Sequence, residues 1–178
     1  NFVQNKIMII SLLGYMGSGK SHVSKNLSKK LNFPLIDLDQ KISEENLLSI
    51  AEIFQTKGEI FFRKEEKRVL ENILNEEKDI ILSLGGGTPV YYNNMDLINE
   101  KSKSIFLRAS VKTLTERVLL QKNTRPLIAK LNDDDVPEFI AKHLFERNPF
   151  YGKSHFTVDT DSKTANDISD EIIKLLKI

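Results

Sequence analysis

The chain has 178 residues, 40% of them hydrophobic, with 26 lysines and arginines against 25 aspartates and glutamates for a formal net charge of +1. That length suits one packed domain, and the near balance of charge gives no electrostatic footprint for nucleic acid or an anionic membrane. Cysteine is absent, which excludes disulfides and thiolate zinc sites and is compatible with a reducing compartment.

In chain order, the leading segment NFVQNKIMII lacks the apolar core and cleavage site of a secretory signal. Met8 is read as the natural start, with residues 1–7 an extension. Residues 7–13 form a short β-branched strand, and Val23, Leu27 and Leu31 then recur at helical spacing. FPLIDLD reads as a second strand. Residues 49–76 are helical, with a break near Gly58. DIILSL is a third strand, ended by the glycines at 85–87, and SIFL and HFTV are the fourth and fifth. Further helices are expected around residues 95–100, 111–120, 137–145 and 165–176. Short apolar strands interleaved with amphipathic helices indicate an α/β fold with a parallel sheet covered on both faces. No apolar run approaches the ~18 residues of a membrane span. The polar stretch at 121–135, QKNTRPLIAKLNDDD, reads as a mobile loop inside one domain.

Between the first strand and the first helix lies G-x-x-x-x-G-K-S, from Gly14 through Gly19, Lys20 and Ser21. Such a loop turns its backbone N–H groups inward as an anion nest at a helix N-terminus. Lys20 would reach the β- and γ-phosphates of a nucleotide, and the Ser21 hydroxyl would ligate one Mg²⁺. Met16, Gly17 and Ser18 complete the loop. His22 beside it is read as a helix-surface residue at the nucleotide rather than a catalytic one.

LIDLDQKI places Asp37 and Asp39 one residue apart. If the strand continues through them, both carboxylates face the same way, at the strand ends where an α/β sheet binds its ligand. One would support hydrated Mg²⁺ and the other would orient or deprotonate an acceptor hydroxyl. Turn and N-cap chemistry is the plainer explanation of the same residues. Arg63, Arg125 and Arg147 are either solvated surface residues or, as a pair, grips on an acidic substrate. Spacing alone leaves both open.

The order GYMGSGKS, DLD, SIAEIFQTKGEIFFRKEE, LSLGGGTP, RPLI and ERNPFY resembles the shikimate kinase family over nearly the whole chain. The resemblance implies a nucleoside-monophosphate-kinase-like fold with a five-stranded parallel sheet and a lid at about residues 121–135. It also implies transfer of the ATP γ-phosphate to the 3-hydroxyl of shikimate, a step toward chorismate and the aromatic amino acids, by a cytoplasmic monomer. Carried over, Asp39, Arg63, Gly86, Gly87 and Arg147 would hold shikimate, the two arginines on its carboxylate and Asp39 on its ring hydroxyls. Phe54, Phe62, Pro126 and Leu127 would line the ring, and Glu66 would brace Arg63. Lys20 and Arg125 would neutralise the transferring phosphoryl, and Asp37 would join Ser21 at Mg²⁺, through water.

The adenine end departs from the family pattern. Val118 falls where some members have an adenine-packing arginine, with Arg117 and Lys122 nearby. Lys163 stands for a frequent arginine and Ala165 for a proline; Arg117 and Lys163 are the expected nucleotide contacts. Gly85, Gly86 and Gly87 follow a buried strand, where a side chain would collide with an approaching ligand. A nucleoside monophosphate kinase or a gluconate kinase would share the phosphate loop but not the D-x-D, F-F-R and G-G-G set. A regulatory GTPase would need an N-K-x-D segment, which is missing.

Overall fold

A computed structural model describes residues 6–178. The expected extension ahead of Met8 falls mostly outside them. Five strands, β1 (Ile9–Leu13), β2 (Leu35–Asp37), β3 (Ile80–Ser83), β4 (Lys103–Arg108) and β5 (Phe156–Asp159), form one sheet in the order β2-β3-β1-β4-β5. Every pairing is parallel; Ile9 lies opposite Ile80 and Ile10 opposite Lys103. All five β1 residues are buried, as expected of a central parallel strand covered on both faces. Its side chains alternate between two cores. Ile9 and Leu13 pack with Leu38, Val69 and Phe106, whereas Ile10 and Leu12 pack with Val23, Leu27, Ile168 and Ile172.

The second of these cores lies under α1 (Lys20–Leu31) and α8 (Ala165–Leu176). The first is covered by α2 (Leu38–Asn46), α3 (Ile50–Leu74), α4 (Asn94–Lys101), α5 (Val111–Leu120), the short α6 (Pro126–Ala129) and α7 (Val136–Tyr151). Helix starts are marked by side-chain caps: Ser49 with Glu52 and Thr164 with Asp167 form reciprocal boxes, and Ser110 accepts from Thr113. The predicted break at Gly58 is present, with φ 85° and ψ 170° inside α3. A Cβ there would meet nothing within 4 Å, so the left-handed backbone and not crowding calls for glycine.

Two expectations need correction. The second strand stops at Asp37, which caps α2 by accepting from the Gln40 N–H at 3.0 Å, and Asp39 lies in the first helical turn. The two carboxylates therefore do not share a strand face. The segment at 121–135 is not a featureless loop either. It contains a turn at Lys122–Thr124, then α6, then a turn at Asp133–Asp135, and Ile128 is wholly buried in the core. Among the described residues no helix is long and apolar enough to cross a membrane.

Candidate active site

The ends of β1, β2 and β3 open onto one cavity of about 740 Å³, lined by Met16 through Val23, Asp37, Asp39, Gly85, Gly86, Arg117, Arg125 and Lys163. This is the crevice position expected of an open α/β sheet. Gly14, Gly17 and Gly19 all have positive φ, and a Cβ on Gly14 would lie 2.7 Å from the Leu107 carbonyl. Only glycine lets the chain turn here. Lys20 folds back on its own loop, donating to the carbonyls of Gly14 at 2.6 Å and Tyr15 at 3.0 Å. Burial lowers its pKa to about 8, against the raising influence of Asp39. Ser21 and His22, both exposed, begin α1 at the cavity wall. The Ser18 hydroxyl is buried without a partner.

Asp39 sits between the phosphate loop and the glycine triplet. Burial raises its pKa to about 6, with Asp37 and Glu66 adding to the effect and Lys20 and Arg63 opposing it. A carboxylate so placed takes up its proton closer to neutrality than an exposed one does.

The triplet does more than clear space for a ligand. A Cβ on Gly85 would lie 3.1 Å from Asp39 Oδ1, one on Gly86 2.9 Å from Arg147 Nη1, and one on Gly87 2.9 Å from Arg63 Nη1 and Nη2. Each glycine thus makes room for one expected acceptor-binding side chain. Arg63 donates from Nη1 to Glu66 Oε1 at 2.9 Å, as expected, and Glu66 is buried. The other Glu66 oxygen accepts from Thr88 Oγ1 at 2.9 Å. Phe62 is buried and Phe54 is half-covered, their rings 4.6 Å apart beside the Arg63 guanidinium.

Arg147 lies on α7 rather than beyond it, because that helix continues through Pro149 to Tyr151. His143, Arg147 and Tyr151 recur every fourth residue and so form one stripe. Tyr151 donates to the Gly86 carbonyl at 2.6 Å, Arg147 lies over the Tyr15 ring at 5.5 Å, and the Tyr15 hydroxyl meets His143 Nδ1. Among the described residues Arg147 has no carboxylate partner within ion-pair distance.

At the nucleotide end Arg117 donates to the Gly17 carbonyl at 3.0 Å, while Val118 is buried beneath the same glycine. Lys122 turns away, to the Leu131 carbonyl and to Asp133. Lys163 pairs with Glu171 at 2.8 Å and lines the cavity beside Ala165 and Ile168. Arg125 reaches the cavity and donates to Gln121 Oε1 at 3.0 Å; its Nε is buried without a partner, and burial lowers its pKa. Among the described residues Arg125 has no carboxylate partner within ion-pair distance. Pro126 and Leu127 are exposed and, like Arg63, Arg147, Phe54 and Phe62, do not line the cavity of about 740 Å³. Tyr15, Thr88, Tyr91, His143 and Tyr151 enter the site without having been singled out in the sequence. The stripe of His143, Arg147 and Tyr151 at every fourth position of α7 was the one signal that could have found some of them.

A phosphate loop at the end of the central strand, lining one crevice with Asp39, Arg117 and Arg125, is the arrangement of a P-loop kinase. The comparisons make that class specific. The shikimate kinase family profile matches residues 16–177. The chain is 46% identical over 168 residues to a shikimate kinase of Flavobacterium psychrophilum, covering 94% of this chain and 98% of that one. The crystal structure of the Bacteroides thetaiotaomicron shikimate kinase superposes with a TM-score of 0.89 at 32% identity, over 96% of this chain and 99% of that one. A shikimate kinase from Acinetobacter baumannii in complex with shikimate gives 0.86 at 28% identity, over 97% and 94%. The chain belongs to the shikimate kinase family. It is an ATP-dependent kinase whose family reaction moves the ATP γ-phosphate to the 3-hydroxyl of shikimate, giving shikimate 3-phosphate and ADP.

Proposed function

We propose that this chain carries out that reaction with Arg63 and Arg147 on the shikimate carboxylate and Asp39 on the attacking hydroxyl. The observation that carries the assignment is the glycine triplet, whose three members pack in turn against Asp39, Arg147 and Arg63. Two guanidiniums and one carboxylate around a backbone strip match an acceptor with an acid at one end and hydroxyls at the other.

Phosphoryl transfer passes through a loose transition state with charge on the equatorial oxygens, so positioning and electrostatics do most of the work. Lys20 leaves its two loop carbonyls for the phosphates, and Arg125 swings from Gln121 onto the transferring group. Asp39, with its pKa near 6, aligns the 3-hydroxyl and accepts its proton as the O–P bond forms.

Among the described residues no three acidic or histidine side chains cluster as a metal cage. That suits Mg²⁺ held chiefly by nucleotide phosphates and water, as is usual for this ion. Ser21 would join its shell directly and Asp37 through water, one Asp37 oxygen being engaged with the Gln40 N–H; an ion held there would neutralise developing phosphate charge. Residues 121–135 act as a lid that brings Pro126 and Leu127 over the acceptor and excludes water. The protein works as a monomer in the cytoplasm.

A coupled ADP-release assay with ATP, Mg²⁺ and a panel of shikimate, quinate, gluconate, AMP and CMP tests the reading. Shikimate should raise the rate far above the ATP-only background, and the nucleotides should not. Stimulation by gluconate or AMP with shikimate inert would overturn it.

A further inference from the structure

We infer that Tyr91 is a positioning residue for acceptor recognition, holding the Arg63 guanidinium in the plane from which it grips a carboxylate. This rests on the reading of Arg63 given above. A bidentate contact depends on the orientation of the guanidinium plane as much as on its location. Glu66 holds one edge, at Nη1, and a single in-plane contact leaves the group free to roll about it.

The face is what Tyr91 controls. Its ring lies 3.9 Å from the guanidinium carbon, nearer than Phe62 at 5.0 Å or Phe54 at 6.0 Å. Its hydroxyl donates to Glu59 Oε1 at 2.9 Å, and that same oxygen is 3.7 Å from Arg63 Nε. Tyr91 therefore stacks on the arginine and also tethers the carboxylate beside it.

Tyr91 is itself firmly held. The Val90 N–H donates to the Gly87 carbonyl at 3.0 Å, and the Asn94 N–H to the Tyr91 carbonyl at 3.2 Å. Asn94 Nδ2 donates to the Thr88 carbonyl at 3.0 Å, and the Thr88 hydroxyl is bound to Glu66. The loop that presents the ring is thus fastened to the residue that braces Arg63 from the edge. Edge and face are set by one connected assembly, ready before any acceptor arrives. An acceptor carrying a carboxylate exploits that order; one without it does not.

The experiment compares shikimate with its methyl ester, at saturating ATP, in the wild type and in Tyr91→Leu and Tyr91→Phe. The wild type should prefer the acid through KM. Tyr91→Leu, which removes ring face and hydroxyl, should cut that preference about tenfold, in keeping with a desolvated cation–π contact. It should do so by raising KM for the acid alone, with KM for the ester and for ATP unchanged. Tyr91→Phe keeps the face and loses the tether, so it should fall between. An undiminished preference in Tyr91→Leu overturns the role of Tyr91 while leaving Arg63 as it stands. A wild type indifferent to esterification overturns the Arg63 reading, and this inference with it. Should Tyr91→Leu fail to fold, Tyr91→Met, which also removes the ring face, takes its place with the same two outcomes, while Tyr91→Phe and Glu59→Gln read the tether alone.

Discussion

The phenol of Tyr15 and Nδ1 of His143 lie 3.0 Å apart, joining the phosphate loop to the middle of α7. Both chemistries of the site hang on this junction. The Tyr15 carbonyl accepts from Lys20, and the Tyr15 ring lies under Arg147. Tyr15→Phe keeps the ring and leaves His143 without its partner. It should lower stability by about 1 kcal/mol and raise KM for ATP and for shikimate together. Thermal unfolding and steady-state kinetics check this; a rise confined to one substrate would show that the junction serves only one side.

Two groups should set the pH profile. With Asp39 at about 6 and Lys20 at about 8, kcat/KM is expected to fall below about pH 6 and above about pH 8. Initial rates across pH 5–9 read both limbs.

The same two groups cost stability, with signs that follow from proton binding. Between 3.8 and about 6 the native Asp39 holds a proton that the unfolded chain has released, so stability falls as pH rises through that window. Between about 8 and 10.5 the unfolded chain holds the Lys20 proton that the native state has lost, so stability rises with pH there. At pH 7 both groups are charged against their environment. Asp39→Asn should raise Tm while abolishing turnover, a gain of up to about 3 kcal/mol from a shift of this size; Lys20→Met relieves a similar penalty but loses the bonds to Gly14 and Tyr15, so its gain should be smaller. A lower Tm in Asp39→Asn would contradict the sign.

Alanine substitutions along the glycine triplet should separate three functions. None of the three has positive φ, so the added methyl acts through the side chain that it meets. At Gly86 and Gly87 that is the guanidinium of Arg147 and of Arg63. Gly86→Ala and Gly87→Ala should raise KM for shikimate about tenfold, as expected for a misplaced charge-assisted contact, with KM for ATP unchanged. Gly85→Ala meets Asp39 and Thr88 at 3.1 Å and should lower kcat instead. Kinetics that are the same for all three variants would dissolve the correspondence.

For the lid, Arg125→Ala should lower kcat by roughly a hundredfold or more with modest change in ATP affinity, since the main partner of the arginine forms at the transition state. Hydrogen exchange should be fast across 121–127 in the free protein and slow with nucleotide and shikimate bound. Around Ile128, which is buried, protection should be present from the start. Equal protection with and without ligands would remove the lid.

Where the sequence carried a physical signal, it was readable. The order of strands and helices came through because buried parallel strands are short apolar runs and helices repeat every three to four residues. The phosphate loop came through because its glycines are required by positive φ. LIDLDQKI misled on one point, because its alternation fits a strand while Asp37 also fits a helix cap. Ile128 was one of four apolar residues, with Leu127, Ala129 and Leu131, in a polar stretch, and nothing in their spacing marked it as the buried anchor. The aromatic residues Tyr15, Tyr91 and Tyr151 act through ring faces and single hydroxyls, contacts between distant segments with no sequence period of their own. Arg63 and Glu66 lie three apart on one helix, a pairing that the family resemblance implied.

Gly58 gives the acceptor pocket an uneven stiffness. Phe54 lies before this break in α3, and Arg63 and Glu66 lie after it. What counts as one helix by hydrogen bonding is mechanically two rods on a joint. The rod that carries the arginine is sunk in the core through Phe62, Val69, Leu70 and Ile73, whereas the rod that carries Phe54 is held chiefly by Ile53. On the assignment proposed above, the wall that carries Phe54 is the more lightly anchored one, while the charge that would bind the acceptor stands on the rod fixed in the core.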